Sequence, residues 1–384
     1  MSVRMVRLGD VCTRISDGTH QAPKWADNGV PFLFVSNIRN GRISFETNKF
    51  VSREDYTTLT KNCPIEARDV LYTAVGSYGN SAVVPSGRTF IFQRHIAHLK
   101  PQHELVDSTY LAQMLETPAV RRQADKLARG VAQKTVTLSS LRNFEIPLPP
   151  LNEQKRIAAI LDKADALRAK RRQAIALLDS LTQSIFLEMF GDPVSNPKGW
   201  PMTKLGEICT FRGGAQPPKT VFSYEDGPEK IRLIQIRDYK SDRFKTFVPI
   251  SMAKRFCDET DIMIGRYGPP VFQILKGIRG SYNVALMKAE PKPGINKSFL
   301  FYLLCSHRLQ NDVIAQSQRT AGQTGVNLDY LNEYVVPRPS WNAQEEFRAC
   351  MELVEDKLVQ AQRFADRSDS LFASLQHRAF TGQL

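Results

Sequence analysis

The chain has 384 residues, of which 42% are hydrophobic, and it carries 52 Lys and Arg against 39 Asp and Glu, a net charge of +13. This length predicts two or three domains. The sequence contains no apolar run of about 18 residues, no signal-peptide-like start and no Cys-x-x-Cys, which excludes a membrane-spanning helix, argues against zinc and redox motifs, and predicts a cytoplasmic protein.

The first 150 residues predict an α+β domain. Short runs of β-branched and aromatic residues, separated by Gly, Pro, Asn and Ser, predict strands. Apolar residues at spacings of three and four predict a helix over Tyr110–Leu127. The predicted strands are Pro31–Val35, Val70–Thr73, Ala82–Val84 and Phe90–Phe92.

A long helix is predicted from Asn152 to Phe190. Asn152 follows Pro149-Pro150 and suits an N-cap, and Gly191-Asp-Pro193 ends the helix. Apolar residues alternate spacings of three and four over four heptads, which predicts a coiled-coil face. This face consists of Ile157, Ile160, Ala164, Leu167, Arg171, Ala174, Leu178, Leu181 and Ile185.

The second half of the chain repeats the first. Arg129–Leu141 matches Arg319–Leu331, and Ile146–Gln154 matches Val336–Gln344. A period of about 190 residues indicates a duplicated domain, since solenoid repeats are only about 20–50 residues long. The second copy again shows a strand, at Ile231–Ile236, followed later by helical spacing at residues 299–316.

Further matches set the register of the two copies. Ile38-Arg39-Asn40 aligns with Ile236-Arg237-Asp238, and Tyr78-Gly79 aligns with Tyr267-Gly268. The first copy therefore carries an insertion between residues 39 and 78, as expected of loops. Cys12 and Cys209 also match, and we expect both to be small buried residues.

A second long helix is predicted from Asn342 onward. Two matched apolar faces, one after each copy, predict an antiparallel coiled coil and a pseudo-two-fold arrangement. Its face consists of Met351, Val354, Leu358, Ala361, Ala365, Ser368, Phe372, Leu375 and Ala379. The predicted organisation is residues 1–150 and 192–341 as homologous domains, with residues 151–191 and 342–384 as helices.

The positive charge lies on the two globular copies. Residues 1–151 carry +6 and residues 191–341 carry +7, while the helical segments 152–190 and 342–384 carry +2 and −2. Two basic modules on a nearly neutral frame favour a polyanionic partner, most simply nucleic acid.

No catalytic or metal-binding constellation is found in the sequence. There is no phosphate-binding Gly-rich loop and no dinucleotide fingerprint. Gly268-Pro-Pro270 lacks the side chain that a methyltransferase motif needs, and Glu290-Pro-Lys292 lacks the preceding Asp of a nuclease. His95, His98 and His103 are interpreted as ordinary histidines, because the second copy reads Asn283–Leu286 at the position of His98.

The basic modules carry polar loop residues suited to DNA contacts. Arg, Gln and Asn read base edges, while Lys and hydroxyl groups hold phosphates. Solvated loops have the same composition, so both readings stay open at this point. The candidate DNA-binding residues are His20, Gln21, Lys24, Asn37, Arg39, Asn40, Arg42, Tyr78, Arg212, Gln216, Lys219, Gln235, Arg237, Tyr239, Lys240, Arg266 and Tyr267.

Several motifs together resemble the specificity subunits of Type I restriction-modification systems. They are the junction Leu148–Ile157, the segment Phe190–Pro193 with Asn196–Trp200, and Asp17-Gly-Thr-His20. The resemblance covers essentially the whole length, although the second junction, residues 336–344, has lost the Glu and one Pro.

This resemblance implies two target-recognition domains that each read one half of a bipartite double-stranded DNA site. The helices would set the spacing and dock two methyltransferase subunits, through Asn152, Glu153, Gln154, Asn342 and Gln344. Those partners would bind S-adenosylmethionine and flip the target base, and motor-nuclease subunits would join the fuller complex. The chain itself would hold no cofactor, metal or catalytic residue. The alternatives are a protein-only coiled-coil scaffold and a self-sufficient methyltransferase or nuclease.

Overall fold

The chain forms two compact units in a computed structural model that describes residues 4–21, 23–61, 64–130, 133–268, 270–317 and 325–384. Unit 1 comprises residues 1–172 and 364–384, and unit 2 comprises residues 173–363. Among the described residues, no helix has the length and apolarity needed to cross a membrane.

Unit 1 is an α+β fold that begins with strands and ends with helices. Its strands are β1 Met5–Arg7, β2 Cys12–Asp17, β3 Val30–Leu33, β4 Ile38–Arg39, β5 Arg42–Ile43, β6 Phe50–Val51, β7 Val70–Thr73, β8 Ser81–Val83, β9 Ile91–Phe92, β10 Ile96–Pro101 and β11 Glu145–Pro147. Its helices are α1 Arg53–Thr60, α2 Ser108–Leu115, α3 Pro118–Leu127, α4 Leu138–Arg142 and the first part of α5 Leu151–Phe190.

The main sheet of unit 1 is antiparallel, with the order β2-β10-β7-β8. One core cluster joins this sheet to α2, α3 and the start of α5, and includes Tyr72, Leu111 and Ile157. A smaller sheet has the order β6-β3-β9. Strands β4 and β5 form a hairpin whose turn residues Asn40 and Gly41 both have positive φ, as a two-residue type I′ turn requires.

Unit 2 repeats this architecture. Its strands are β12 Met202–Lys204, β13 Cys209–Gly213, β14 Lys230–Ile234, β15 Phe247–Pro249, β16 Phe256–Cys257, β17 Ile262–Gly265, β18 Ile274–Leu275, β19 Gly280–Tyr282, β20 Leu286–Pro291 and β21 Val335–Pro337. Its helices are α6 Leu205–Ile208, α7 Lys297–Leu304, α8 His307–Ser317, α9 Leu328–Glu333 and part of α10 Trp341–Phe380.

The two units share one sheet topology, which confirms the duplicated α+β fold. The order β13-β20-β17-β18 matches the order β2-β10-β7-β8 strand for strand. The extra length predicted in the first copy corresponds to the β4–β5 hairpin and α1, which lie between β3 and β7. Cys12 and Cys209 are both buried, and burial raises the pKa of each thiol to about 12. Of the repeated motif, residues 131–132 and 318–324 lie outside the described residues.

The helix predicted over Tyr110–Leu127 is two helices. The first ends at Leu115. Thr117 caps the second by accepting the backbone N–H of Val120, and Pro118 occupies the first turn of α3. Proline suits that position because it lacks an N–H that would need an acceptor. The helical segment 299–316 is likewise divided, into α7 and α8.

The predicted face of α10 is correct, whereas four of the nine residues predicted for the face of α5 are exposed. All nine residues predicted for α10 are buried or half-buried. On α5, Leu167, Arg171, Ala174 and Leu181 are exposed. Next to the three apolar ones, the inward positions are taken by the residues that follow them, Arg168, Ile175 and Thr182. Counted from Ile157, the inward residues of α5 are therefore spaced by four and then three, rather than by three and then four. The sequence pattern concealed this because two of the inward residues, Arg168 and Thr182, are polar.

Within unit 1, the two helices pack antiparallel. Arg168 donates from Nε to Oδ1 of Asp369 at 2.6 Å, and Nη1 of Arg171 donates to the carbonyl of Phe364 at 3.2 Å. The guanidinium of Arg168 also lies 4.2 Å from the ring centre of Phe372. This packing explains how an arginine can occupy an inward position, since its charge is paired and its stem covers an aromatic ring.

Candidate nucleic-acid interface

Four strand ends of unit 1 lie together at one end of its main sheet, here named the loop end. The register places the end of β2 at Asp17, the end of β7 at Thr73, and the starts of β8 at Ser81 and of β10 at Ile96 side by side. The repeated segment that begins at Arg129 joins them, because Val75 and Thr135 form a bridge. The junction to α5 contacts the segment that leaves the opposite end of β10.

A glycine fixes the start of the first of these loops. A side chain at Gly18 would collide with the backbone carbonyls of Phe92 and Gln93. Gly214 holds the matching place in unit 2, where a side chain would collide with the carbonyls of Tyr282 and Asn283. The loops that contain His20 and Gln216 therefore leave their sheets at equivalent points.

A polar cleft of about 350 Å³ opens at the loop end of unit 1. Its lining contains hydroxyl, amide, imidazole and guanidinium groups and no carboxylate among the described residues. The lining residues are Val35, Ser36, Arg39, Val75, Gly76, Ser77, Asn80, Gln93, His95 and Gln133. Such a surface offers hydrogen bonds to an anionic partner without repelling it.

Three side chains of the cleft are free to bind a partner. Within the part of the chain that the structure describes, the side chains of Arg39, Gln93 and His95 form no hydrogen bond or ion pair. Burial, together with neighbouring Arg94, lowers the pKa of His95. A neutral imidazole presents one donor and one acceptor. Asn80 uses its amide nitrogen on the carbonyl of Ser77, at 3.0 Å.

The loop end of unit 2 carries different side chains. The guanidinium of Arg266 lies 5.1 Å from the ring centre of Tyr267, and its Nε is buried without a partner among the described atoms. Arg237 is exposed, and its Nη2 lies 3.5 Å from the carbonyl oxygen of Phe244. Phe244 is itself 55% exposed.

The structure corrects the register in which the two copies were aligned. Phe34 N–H donates to Oδ1 of Asn37 at 2.9 Å, and Gln235 N–H donates to Oδ2 of Asp238 at 2.7 Å, so Asn37 matches Asp238. Arg237 therefore corresponds to Ser36 rather than to Arg39. The sequence alignment is wrong by three residues, because the β4–β5 hairpin that contains Arg39 is part of the insertion in the first copy.

A second correction concerns the tyrosines. Val75 pairs with Thr135, and Tyr267 pairs with Gly325 in the same manner, so Tyr267 corresponds to Val75. The glycines that follow, Gly76 and Gly268, both have positive φ. The sequence alignment matched Tyr267 with Tyr78 because a Gly follows each of them. Tyr78 lies three residues after Val75, which is the true equivalent of Tyr267.

Ten predicted DNA-contacting residues are exposed or half-exposed on loops, in short turns or at strand ends, and their role stays a prediction. Nε2 of His20 lies 2.7 Å from Oδ2 of Asp17. The ten are His20, Gln21, Lys24, Arg39, Gln216, Lys219, Arg237, Lys240, Arg266 and Tyr267.

Three predicted contact residues instead support the fold. Asn37 is buried, and its amide donates to the carbonyls of Ser44 and Glu46, both at 3.0 Å. Tyr78 is buried and donates to Asp125 at 2.7 Å, a hydrogen bond that raises the pKa of the phenol. Tyr239 packs against an interior cluster, and burial raises its pKa. These side chains are unavailable to DNA because they already have internal contacts.

Four other candidates have internal or acidic neighbours. Asn40 and Arg42 line a separate cavity of about 390 Å³ that also contains Glu116, Asp162 and Asp165. Arg168 and Arg172 also line it, so that with Arg42 three arginines balance the three carboxylates. The remaining two lie in unit 2: Arg212 is paired with Glu290 at 2.5 Å, and Gln235 donates to Thr246 at 3.2 Å.

Two of the predicted docking residues are buried. Gln154 accepts the N–H of Asp107 at 2.8 Å and donates to the carbonyls of Leu105 and Pro149. Gln344 accepts the N–H of Asn296 at 2.8 Å and donates to Pro339. Both fasten a helix start to its unit, which corrects their assignment to a partner surface.

The other docking candidates lie at the surface. Asn152 and Asn342 are exposed, and Glu153 is paired with Arg156 at 2.7 Å. The long helices also expose large apolar side chains that the sequence assigned to the coiled-coil face or overlooked. In unit 1 these are Leu167, Phe364 and Leu371, and in unit 2 they are Leu177, Leu181, Leu187, Leu353 and Val359.

Each unit holds a matched acid–base pair in its main sheet. Nε2 of His98 lies 2.6 Å from Oδ2 of Asp69, with both side chains buried, and Lys288 lies 3.4 Å from Asp261 in unit 2. The strand registers make His98 equivalent to Lys288, which corrects its earlier match with residues 283–286.

Sequence reasoning missed Ser36, Asn80 and Gln93 as cleft residues and read His95 as an ordinary histidine. Gln93-Arg94-His95 was nevertheless visible as a polar triplet between two apolar runs. Such a triplet predicts a tight connection between strands. That two of its residues line one cleft with Arg39 follows only from the fold.

Comparisons with known proteins agree with this architecture. The family model of the Type I restriction modification DNA specificity domain matches residues 2–177. The EcoBI specificity subunit of Escherichia coli is 26% identical over 42% of this chain, and this chain spans only 35% of that relative. The putative MjaX specificity subunit of Methanocaldococcus jannaschii is 24% identical over 98% of this chain and 92% of its own length.

Solved structures share the fold. A chain from a structure on complex assembly and conformational transition of the type I R-M system aligns with a TM-score of 0.60 and 20% identity, over 100% of this chain and 98% of that one. The Type-I restriction-modification system S subunit from M. genitalium gives a TM-score of 0.60 and 16% identity, over 98% and 96%. By sequence over residues 2–177 and by fold over the whole length, the chain is similar to Type I restriction-modification DNA specificity subunits.

Proposed function

We propose that each unit of this chain reads one half of a bipartite double-stranded DNA site through its loop end, and that the chain has no catalytic role itself. The observation that carries this proposal is the cleft of unit 1, where Arg39, Gln93 and His95 are unpaired and no described carboxylate lines the wall. The net charges of +6 and +7 on the globular parts supply attraction to phosphates.

The experiment is selection from a random DNA library by the full chain reconstituted with its methyltransferase subunits. Two separated motifs with unread bases between them are expected, because there are two loop ends. Recovery of one contiguous motif would contradict the proposal. Binding should also weaken as salt rises, with a slope of about −0.9 per phosphate neutralised in a plot of log affinity against log salt.

We further propose that two methyltransferase subunits dock on the exposed apolar residues of α5 and α10, and that motor-nuclease subunits join the full complex. Leu167 and Leu371 of unit 1 are 57% and 69% exposed, which is unusual for large apolar side chains and typical of a partner surface. The methyltransferase would bring S-adenosylmethionine. Leu167→Asp should weaken the complex at least about tenfold, as expected when a charge enters an apolar contact, whereas Lys170→Asp on the same helix should not.

The helices are also proposed to set the length of the unread segment. Removal of one heptad from α5 together with one from α10 should then shorten the gap between the two motifs. An unchanged gap in the library selection would exclude this role. The domain boundaries at residues 150, 191 and 341 stay a prediction.

A further inference from the structure

The loop ends of the two units can be compared position by position, because the same backbone hydrogen bonds recur in both units. Gln93 N–H donates to the carbonyl of Leu33 at 3.1 Å, and Asn283 N–H donates to Ile234 at 3.1 Å. Gln93 and Asn283 are therefore equivalent.

Two more positions follow in the same way. Ala74 N–H donates to the carbonyl of His95, and Arg266 N–H donates to Ala285, so His95 matches Ala285. Asn80 and Gln273 are equivalent too, since each carbonyl accepts the N–H of the last residue of β7 or β17.

The side chain differs at each of five matched positions on an equivalent backbone. Three pairs differ in hydrogen-bonding chemistry, and the two carboxamide pairs differ in length by one methylene. The pairs are Ser36 and Arg237, Val75 and Tyr267, Asn80 and Gln273, Gln93 and Asn283, and His95 and Ala285.

We infer that these five positions, and Gln93 with His95 above all in unit 1, determine which bases each unit accepts. This inference rests on the proposed function. A carboxamide can bind adenine through two hydrogen bonds, and a neutral imidazole can donate to or accept from a base edge. Asn283 is one methylene shorter than Gln93, and Ala285 has no polar group, so unit 2 reaches a base edge differently.

The backbone around Gln93 is held rigidly, as base reading requires. Its N–H and carbonyl are both used, the latter by Ile96 N–H at 3.1 Å, and Thr19 forms a bridge with it. The side chain therefore projects from a fixed point, and little conformational freedom is lost when a base is bound.

The test is a graft between units in the full chain reconstituted with methyltransferase subunits. Gln93→Asn with His95→Ala gives unit 1 the side chains of unit 2 at two positions. Library selection should show a changed base preference of about 10- to 100-fold at one or two positions of one half-site only. The reciprocal graft, Asn283→Gln with Ala285→His, should change only the other half-site.

The outcomes separate this inference from the proposed function. An unchanged half-site with an unchanged melting temperature overturns the assignment of these positions, and so does an equal loss of affinity for every sequence. Selection of no motif by the wild-type complex would instead overturn DNA reading altogether. If the double graft fails to fold, the single change Gln93→Glu serves instead. It replaces a hydrogen-bond donor by an acceptor and should reduce selection of adenine at the affected position. Unchanged selection would overturn the assignment.

Discussion

The side-chain oxygen of Gln154 accepts the backbone N–H of Asp107 at 2.8 Å, and Gln344 makes the same contact with Asn296 in unit 2. Asp107 and Asn296 are themselves the N-caps of α2 and α7. Each buried amide therefore connects the start of a long helix to the start of a core helix. A long helix attached in this way keeps a fixed position within its unit.

Replacing Gln154 by Leu should destabilise unit 1 by about 2–4 kcal/mol, because the N–H of Asp107 and the carbonyls of Leu105 and Pro149 lose a buried partner. Hydrogen exchange of unit 1 amides measures the loss. Asn152→Ala, two residues earlier and exposed, should stay within about 0.5 kcal/mol of wild type. Equal effects of the two variants would mean that the buried amide does not fasten the helix.

The paired Asp69 should make unit 1 sensitive to acid. Burial favours the protonated carboxyl, but hydrogen bonds from His98, from Glu66 N–H and from Lys100 outweigh burial and lower the pKa of Asp69. The pair therefore stabilises unit 1 fully above the unfolded value of about 3.9, and the stabilisation is lost as the pH falls through the folded pKa.

Unfolding of the wild type and of Asp69→Asn, measured at pH 7 and near pH 3, tests this expectation. The variant should be less stable at pH 7 and should lose less stability on acidification. Asp27→Asn, at an exposed loop position, serves as the control. An acid-induced loss as large in Asp69→Asn as in the wild type would place the sensitivity elsewhere.

The corrected face of α5 predicts opposite results for two leucines six residues apart. Leu161→Ala should cost about 2–5 kcal/mol, since Leu161 is 1% exposed in the core of unit 1. Leu167→Ala should cost no more than about 0.5 kcal/mol. Urea denaturation compares the free energies of unfolding of the two variants. A larger loss for Leu167→Ala would mean that Leu167, and not Arg168, points inward.

Gly18→Ala should distort the start of the first loop, because a Cβ there meets two backbone carbonyls that cannot easily move. Specific binding to one half-site should fall at least about tenfold, as for the loss of one good base contact. Gly227→Ala is the matched control in a loop of unit 2, where the added Cβ finds only the side chain of Lys230 at 3.6 Å or more. Normal specificity of Gly18→Ala would show that the loop tolerates a shifted start.

Much of the fold was predictable because periodicity reports burial directly. The face of α10 is correct since every inward residue but Ser368 is apolar. On α5, apolar Leu167 and Leu181 hid the inward positions of Arg168 and Thr182, and only the partners Asp369 and Phe372 explain why an arginine points inward.

The candidate site was less predictable because it depends on register. A polar residue such as Asn37 looks like a contact residue in a sequence, and only its hydrogen bonds to Ser44 and Glu46 show otherwise. Conversely, Ser36 and Arg237 share a position that a three-residue shift concealed. Hydrogen bonds between distant backbone groups, rather than residue types, decide both questions.

The discontinuous make-up of unit 1 affects the order in which the protein matures during synthesis. Phe372 and Phe380 complete its interior, yet the ribosome produces them only after all of residues 173–363. At about 5–20 residues per second, the wait for these 191 residues lasts roughly 10–40 s. Unit 1 is thus the first to leave the ribosome and the last to complete its core. During that interval Tyr110, which later packs against Phe380, is accessible to chaperones and proteases.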